Sequence, residues 1–251
     1  MTQFQPHDSS RPRLGVLGGM GPLAGASFAV RIVQLTAASK DQDHIPVILV
    51  NDPDIPDRST AHFGQGDSPL PAMIRGLHTL ESTGVDCIAI PCNTAHLWFE
   101  ELHQASSKPI LHIVDAVIHD LQRQQTLQGT IGLLGTPATL KTRLYQNRLE
   151  SAGYKPIIPT QTEIQELLVP AIAAVKANRV DKAYAPMMHA IDLLRERGAE
   201  SIVLGCTELP LAIPYSQRSK VGIPLSDSID ALAREAIRWI NQQEALTQAV
   251  H

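Results

Sequence analysis

Cysteine is scarce in this chain, with three among 251 residues, and that scarcity excludes a disulfide framework, because a small secreted scaffold carries a denser and even set. Thiols that stay reduced remain available for chemistry, so a cytoplasmic protein is expected. A large charge of either sign is also lacking. The formal net charge of −4 leaves no basic footprint of the kind nucleic-acid binding needs, and any anionic ligand must be held by local groups. No apolar run approaches the length of a membrane span. Residues Met1 to Arg13 are polar, lack the apolar segment of a signal peptide and are expected to form a frayed tail.

What the chain does carry is a series of short, continuous apolar runs at Leu14–Leu17, Val47–Val50, Cys87–Ile90, Ile110–Val114, Ile131–Leu134 and Ile202–Leu204. Such runs are too uniform for half-exposed strands and point to parallel sheet covered on both faces. Helix-length amphipathic segments separate them, among them Pro71–Glu81, Thr94–Gln104, Thr139–Ser151, Glu163–Lys176, Asp181–Arg197 and Ser228–Asn241. The class expected is α/β, at a length that allows two modest domains.

The two halves repeat one another. Gly84-Val85-Asp86-Cys87-Ile88-Ala89-Ile90-Pro91-Cys92 lies against Gly198-Ala199-Glu200-Ser201-Ile202-Val203-Leu204-Gly205-Cys206 at an offset of 114 (206 − 92). Leu14 to Gly18 matches Ile131 to Gly135 at 117 (131 − 14), and Pro109 to Ala116 echoes Pro224 to Ala231 at 115 (224 − 109). Three pieces in one order argue for duplication rather than for the general likeness of βα units. Two similar domains are therefore expected, each a short, mostly parallel sheet flanked by helices, related by a pseudo-two-fold with a cleft between them. The boundaries drawn are 1–116 plus 226–251 for the first domain and 117–225 for the second, with the last helix returning to the first.

Each half offers one thiol at the end of a buried strand. Cys92 precedes Asn93-Thr94 and Cys206 precedes Thr207-Glu208, residue types that cap helices and bind polar ligands. A thiol at a helix N-terminus is favoured as thiolate. Cys87, inside an apolar run, is read as a small core hydrophobe. A thiol on either side of one carbon suits removal of a proton from one face and its return to the other. The ten histidines supply pairs seven apart at best and no third ligand, so no metal is assigned. Gly19-Met20-Gly21-Pro22-Leu23-Ala24 also satisfies a dinucleotide pattern, but its acid, Asp52, comes late and beside Pro53. The loop is read instead as a close backbone approach to a small substrate, with Met20 in the pocket wall.

Four motifs together, Leu17-Gly18-Gly19-Met20-Gly21-Pro22, Asn51-Asp52-Pro53 with Ile55-Pro56-Asp57-Arg58, Pro91-Cys92-Asn93-Thr94-Ala95-His96 and Gly205-Cys206-Thr207-Glu208, resemble the cofactor-independent aspartate/glutamate racemase family, the aspartate branch most of all. The resemblance runs from about Leu14 to Ala236. It implies an isomerase that interconverts L- and D-aspartate by proton transfer at Cα between Cys92 and Cys206, with no pyridoxal phosphate and no metal. It implies substrate contacts by Met20, Arg58, Asn93, Thr94, Thr136, Thr139, Lys176, Thr207 and Glu208, and a homodimer. A planar guanidinium at Arg58 can hold a carboxylate bidentately. For Lys176 a solvated helix face is the ordinary reading, and only the resemblance makes it a ligand. Glutamate or a broader range of amino acids is the nearest alternative. Maleate isomerase and hydantoin racemase share the paired cysteines, an NAD-dependent oxidoreductase would rest on the glycine loop alone, and a binding protein that lost turnover is a third class.

Overall fold

The computed structural model describes residues 11–126 and 128–249; most of the expected N-terminal tail and residues 250–251 lie outside them. The first half runs β1 (Leu14–Gly18), α1 (Pro22–Leu35), β2 (Val47–Asn51), α2 (Arg58–His62), α3 (Leu70–Ser82), β3 (Cys87–Ala89), α4 (Phe99–Ala105), β4 (Ile110–Leu111) and α5 (Ile113–Arg123). The second runs β5 (Gly129–Gly135), α6 (Pro137–Lys141), α7 (Gln146–Ser151), β6 (Tyr154–Ile157), α8 (Gln161–Glu163), α9 (Val169–Lys176), α10 (Tyr184–Glu196), β7 (Ser201–Gly205), α11 (Tyr215–Arg218), β8 (Leu225–Asp227) and α12 (Ser228–Ala249).

Two four-stranded sheets result, ordered β2-β1-β3-β4 and β6-β5-β7-β8. Every pairing is parallel, and the second sheet repeats the order of the first strand for strand. Four of the six apolar runs became the inner strands β1, β3, β5 and β7, and β1 and β7 are buried at all five positions, as a strand covered on both faces requires; Val47–Val50 became instead the half-buried edge strand β2, and Ile110–Leu111 the edge strand β4. Ligands of such sheets lie beyond the carboxyl ends of the strands. Cys92 and Cys206 sit there, past the inner strands β3 and β7.

Several expected elements changed shape. The apolar run Ile110–Val114 is a strand only to Leu111, because the His112 ring accepts the Val114 N–H as a helix cap and Ile113 opens α5. Thr139–Ser151 is two helices, broken where Arg143 takes φ 58°, a left-handed conformation no α-helix continues through. Thr94–Gln104 opens as a tight 3-10 turn over Thr94–Trp98 before α4, and the helix expected over Glu163–Lys176 passes through a wide π turn at Ile164–Leu168. β6 escaped notice because Lys155 and Pro156 interrupt its apolar character; it is an edge strand, where a missing N–H is tolerated.

The terminal helix α12 packs on α1 and α5 and reaches β4 of one sheet and both β7 and β8 of the other. Arg31 of α1 forks onto Asp230 of α12 at 2.6 and 2.8 Å. The strand that precedes this helix, β8, pairs within the second sheet, and residues 116 and 117 fall inside the continuous helix α5. One apolar core runs from the inner face of the first sheet through α5 and α12 into the second half, and a smaller one fills the space between the first sheet and α3. No helix among the described residues is long and apolar enough to cross a membrane.

Candidate active site

The loop after β1 starts the site. Gly19 has φ 95°, and a Cβ there would stand 1.9 Å from the Asp52 carbonyl oxygen, so only glycine lets the loop fold onto the segment after β2. The Gly21 N–H then donates to Glu208 Oε1 at 3.0 Å. A carboxylate thus holds the amide that a dinucleotide's diphosphate would need.

Both thiols line the same cavity as Glu208. Cys92 and Cys206 are 5% and 3% exposed. Neither opens an α-helix: the turns that follow are short 3-10 segments, Thr94–Trp98 and Leu209–Ala212. The helix macrodipole expected from sequence is therefore replaced by single donors, the Ala95 N–H at Cys92 and the Glu208 N–H at Cys206. Their further surroundings differ. Cys206 Sγ donates to Glu208 Oε2 at 3.1 Å, and burial together with that carboxylate raises its thiol well above the ordinary range. Burial raises Cys92 as well, helped by Glu208 and only partly offset by the Arg58 guanidinium. Cys206 is thus held as a thiol, and Cys92 is the more readily ionised of the two. Cys87 lies within β3, where burial and Asp86 push it to about 12.

Of the eleven site residues expected from sequence, ten line one cavity, joined by Asp57 and Ser59, which were not anticipated. Thr139 does not line it. Fully buried, it stands behind Thr136, its hydroxyl 2.9 Å from that of Thr136 and 3.2 Å from that of Thr94. Thr94 Oγ1 also lies 3.0 Å from Thr136 Oγ1, joining the halves at the cavity floor. Both ends of the Asn93 amide are occupied: the Tyr145 hydroxyl donates to Oδ1 at 2.5 Å, and Nδ2 donates to Ser228 Oγ at 3.1 Å. The Tyr145 ring packs where a Cβ on Gly205 would come 3.2 Å from its Cε2. One buried tyrosine therefore touches the neighbour of each cysteine. No signal in the amphipathic segment around it marks it for this role.

Arg58 is 6% exposed. Its Nη1 donates to the Ile55 and Pro56 carbonyls at 3.1 and 2.9 Å, while its Nε is buried with no hydrogen-bond partner. Lys176, by contrast, is paired across the mouth with Asp57 Oδ2 at 3.1 Å. Asp57 also caps α2 by accepting the Thr60 N–H at 2.9 Å. Its volume is about 20 Å³, room for roughly one water, so a larger ligand requires the site to widen. Among the described residues no cluster of three His, Cys, Asp or Glu side chains could hold a metal ion.

His96 fastens the Cys92 turn. Its Nδ1 is 2.9 Å from the Cys92 carbonyl and its Nε2 accepts the Ile113 N–H at 3.2 Å, which together fix the neutral tautomer with the proton on Nδ1. Burial lowers its pKa to about 4. A histidine with a lowered pKa contributes stability that is full above its unfolded value near 6.5 and is lost as pH falls toward 4. His112, lowered to about 2 by burial and by His96, acts in the same direction. Asp227, raised to about 6 by burial, opposes both, since its stability is lost as pH rises from about 4 to 6. Thermal unfolding followed from pH 7 to 4 should show a net loss of stability, and His96→Gln should flatten it by up to about 3 kcal/mol; an unchanged slope would remove His96 from this account.

Comparison with known proteins gives the class. The Asp/Glu/Hydantoin racemase family matches residues 17–236, and the chain belongs to that family, which makes it an isomerase. It is 32% identical over 231 residues to the broad specificity amino-acid racemase RacX of Bacillus subtilis, a match covering 89% of this chain and 96% of the relative. Among solved structures, the aspartate racemase of Picrophilus torridus superposes with a TM-score of 0.80 at 33% identity, covering 91% of this chain and 94% of the other. An aspartate racemase homologue from Pyrococcus horikoshii shares the fold, with a TM-score of 0.71 at 22% identity over 91% of this chain and 99% of that one.

Proposed function

We propose that the protein interconverts L- and D-aspartate by direct proton transfer between two cysteines. One sulfur, as thiolate, takes the Cα proton from its face of the substrate; the C–H electron pair stays on carbon, delocalised into the α-carboxylate. The other sulfur, as thiol, delivers its own proton to the opposite face. Each turnover thus exchanges the protonation states of Cys92 and Cys206. The developing negative charge needs fixed donors, and the hydroxyls of Thr94, Thr136 and Thr207 line the same cavity. The observation that carries the reading is that one buried thiol from each half lines a single small cavity.

The acidic substrate is supported by Arg58, whose buried, partly unpartnered guanidinium looks into that cavity. A broader range of substrates is favoured by a separate observation, the prior pairing of Lys176 with Asp57. The homodimer, the cytoplasmic setting and the domain division at 116/117 and 225/226 stay part of this reading, carried by the resemblance and the duplication.

The test is a panel of amino-acid enantiomers incubated in deuterium oxide without added cofactor and resolved by chiral chromatography and mass spectrometry. Aspartate should interconvert, with deuterium at Cα in the product and little in the remaining substrate, because an abstracted proton does not return to its own face. Rapid exchange into unreacted substrate would replace two bases with one. No interconversion of any amino acid would sink the reading.

A further inference from the structure

Two cations and two carboxylates meet at the cavity: Arg58 and Lys176 against Asp57 and Glu208. Glu208 is committed to the Cys206 thiol and the Gly21 N–H, and Arg58 to two carbonyls, with its Nε left over. That leaves Lys176 and Asp57, one from each half, joined at 3.1 Å with side chains 38% and 43% exposed. Before any thiolate forms, these four charges balance. An acidic amino acid brings one more negative charge than a neutral one, and its side-chain carboxylate seeks the cations that a neutral side chain ignores.

Resting on the racemase reading, we propose that Asp57 is a specificity-determining residue: a built-in counter-ion that occupies Lys176 and must be displaced by the side-chain carboxylate of an acidic substrate, which holds down the enzyme's preference for acidic over neutral amino acids. Two features suit it to this. Its Oδ1 is anchored by the Thr60 N–H and hydroxyl at 2.9 and 3.1 Å, so Oδ2 is presented to the lysine by a fixed cap rather than a free side chain. The carboxylate also stays ionised: burial alone would raise it, but the Thr60 amide and Lys176 bring it down to about 2. Ordinary pH does not neutralise it; only competition for Lys176 displaces it. Once a neutral substrate is bound the pair can re-form over it, whereas an acidic one must exchange one ion pair for another and gains only the difference.

The test compares kcat/KM for aspartate with that for a neutral amino acid that the wild-type protein racemises. Asp57→Asn keeps the helix cap, since asparagine caps as well as aspartate, and removes the charge. The ratio of acidic to neutral kcat/KM should rise by about two- to fivefold, the scale of a half-exposed ion pair. In a Lys176→Met background the same change should give no such rise, because the competed-for cation is gone. An unchanged or lower ratio in Asp57→Asn, or an equal rise with and without Lys176, would overturn the proposal. Should Asp57→Asn melt early, Asp57→Ser, another uncharged cap, replaces it. If the wild-type protein racemises nothing, the reaction assignment fails separately, and the counter-ion is read by calorimetry with succinate and butyrate. Tighter succinate binding in Asp57→Asn, with butyrate unaffected, would then support it; equal responses would reject it.

Discussion

Cys92→Ser and Cys206→Ser should each lower racemase turnover by about a thousandfold or more, the scale of losing a positioned acid or base. Serine holds its proton far more tightly than cysteine at neutral pH, so neither the thiolate that takes the Cα proton nor its return by the opposite sulfur survives the change. The two losses should be alike in size although the surroundings differ, because every turnover uses both sulfurs once, whichever enantiomer enters. Cys87→Ser belongs to another category. That side chain is fully buried in β3, and a hydroxyl there without a designed partner should cost about 1–3 kcal/mol of stability and little activity per folded molecule. Polarimetry or chiral chromatography beside thermal unfolding distinguishes the two outcomes. Substantial turnover in either of the first two variants would end the two-base assignment.

Arg58→Ala should weaken aspartate turnover by a factor of roughly 30 or more, the effect of leaving a buried carboxylate without its cation. Arg58→Lys should recover little. The guanidinium already spends Nη1 on the carbonyls of Ile55 and Pro56 while its Nε stays open; an ammonium cannot both bridge those carbonyls and present a second donor edge to the ligand. The charge also acts on Cys92, which it pulls down against burial, so the pH at which Cys92 is alkylated should rise in Arg58→Ala. Unchanged aspartate kinetics in that variant would make the loop structural and place the whole side-chain contact on Lys176.

The parts of this protein that were legible in its sequence are those governed by local rules. Uninterrupted apolar runs disclosed all four inner strands, because a strand buried on both faces has no polar side to alternate with, but the run at Val47–Val50 turned out to be a half-buried edge; the repeat around Cys92 and Cys206 disclosed that the same strand end occurs twice. β6 was not legible, since an edge strand carrying Lys155 and Pro156 lacks that uniformity. Nor was the break inside Thr139–Ser151, because an amphipathic pattern says nothing about one arginine held at positive φ. The site divides in the same way. Cys92, Cys206, Thr94, Thr136 and Thr207, placed by short motifs, stand on the cavity, whereas Thr139 stands behind it. Tyr145 and Asp57 were not legible, since each owes its role to a partner 52 or 119 residues away, and no local pattern encodes such a distance. A capping aspartate just before a helix is an ordinary sight; only the fold turns it toward Lys176.

The unequal dressing of the two thiols, Glu208 on Cys206 and Arg58 near Cys92, meets a thermodynamic limit. Mirror-image amino acids have equal free energies, so the reaction's equilibrium constant is one and kcat/KM is the same in both directions, whatever surrounds each sulfur. Asymmetry can show only as kcat and KM rising or falling together for one enantiomer relative to the other. It also ranks the enzyme's two singly protonated forms, favouring the one with the proton on Cys206. In the two-base reaction proposed above, turnover in one direction ends in the other form, and the protein would then reset by moving a proton between its sulfurs with no substrate present. That silent step belongs to the enzyme's own cycle, and the carboxylate of Glu208 stands beside one end of it.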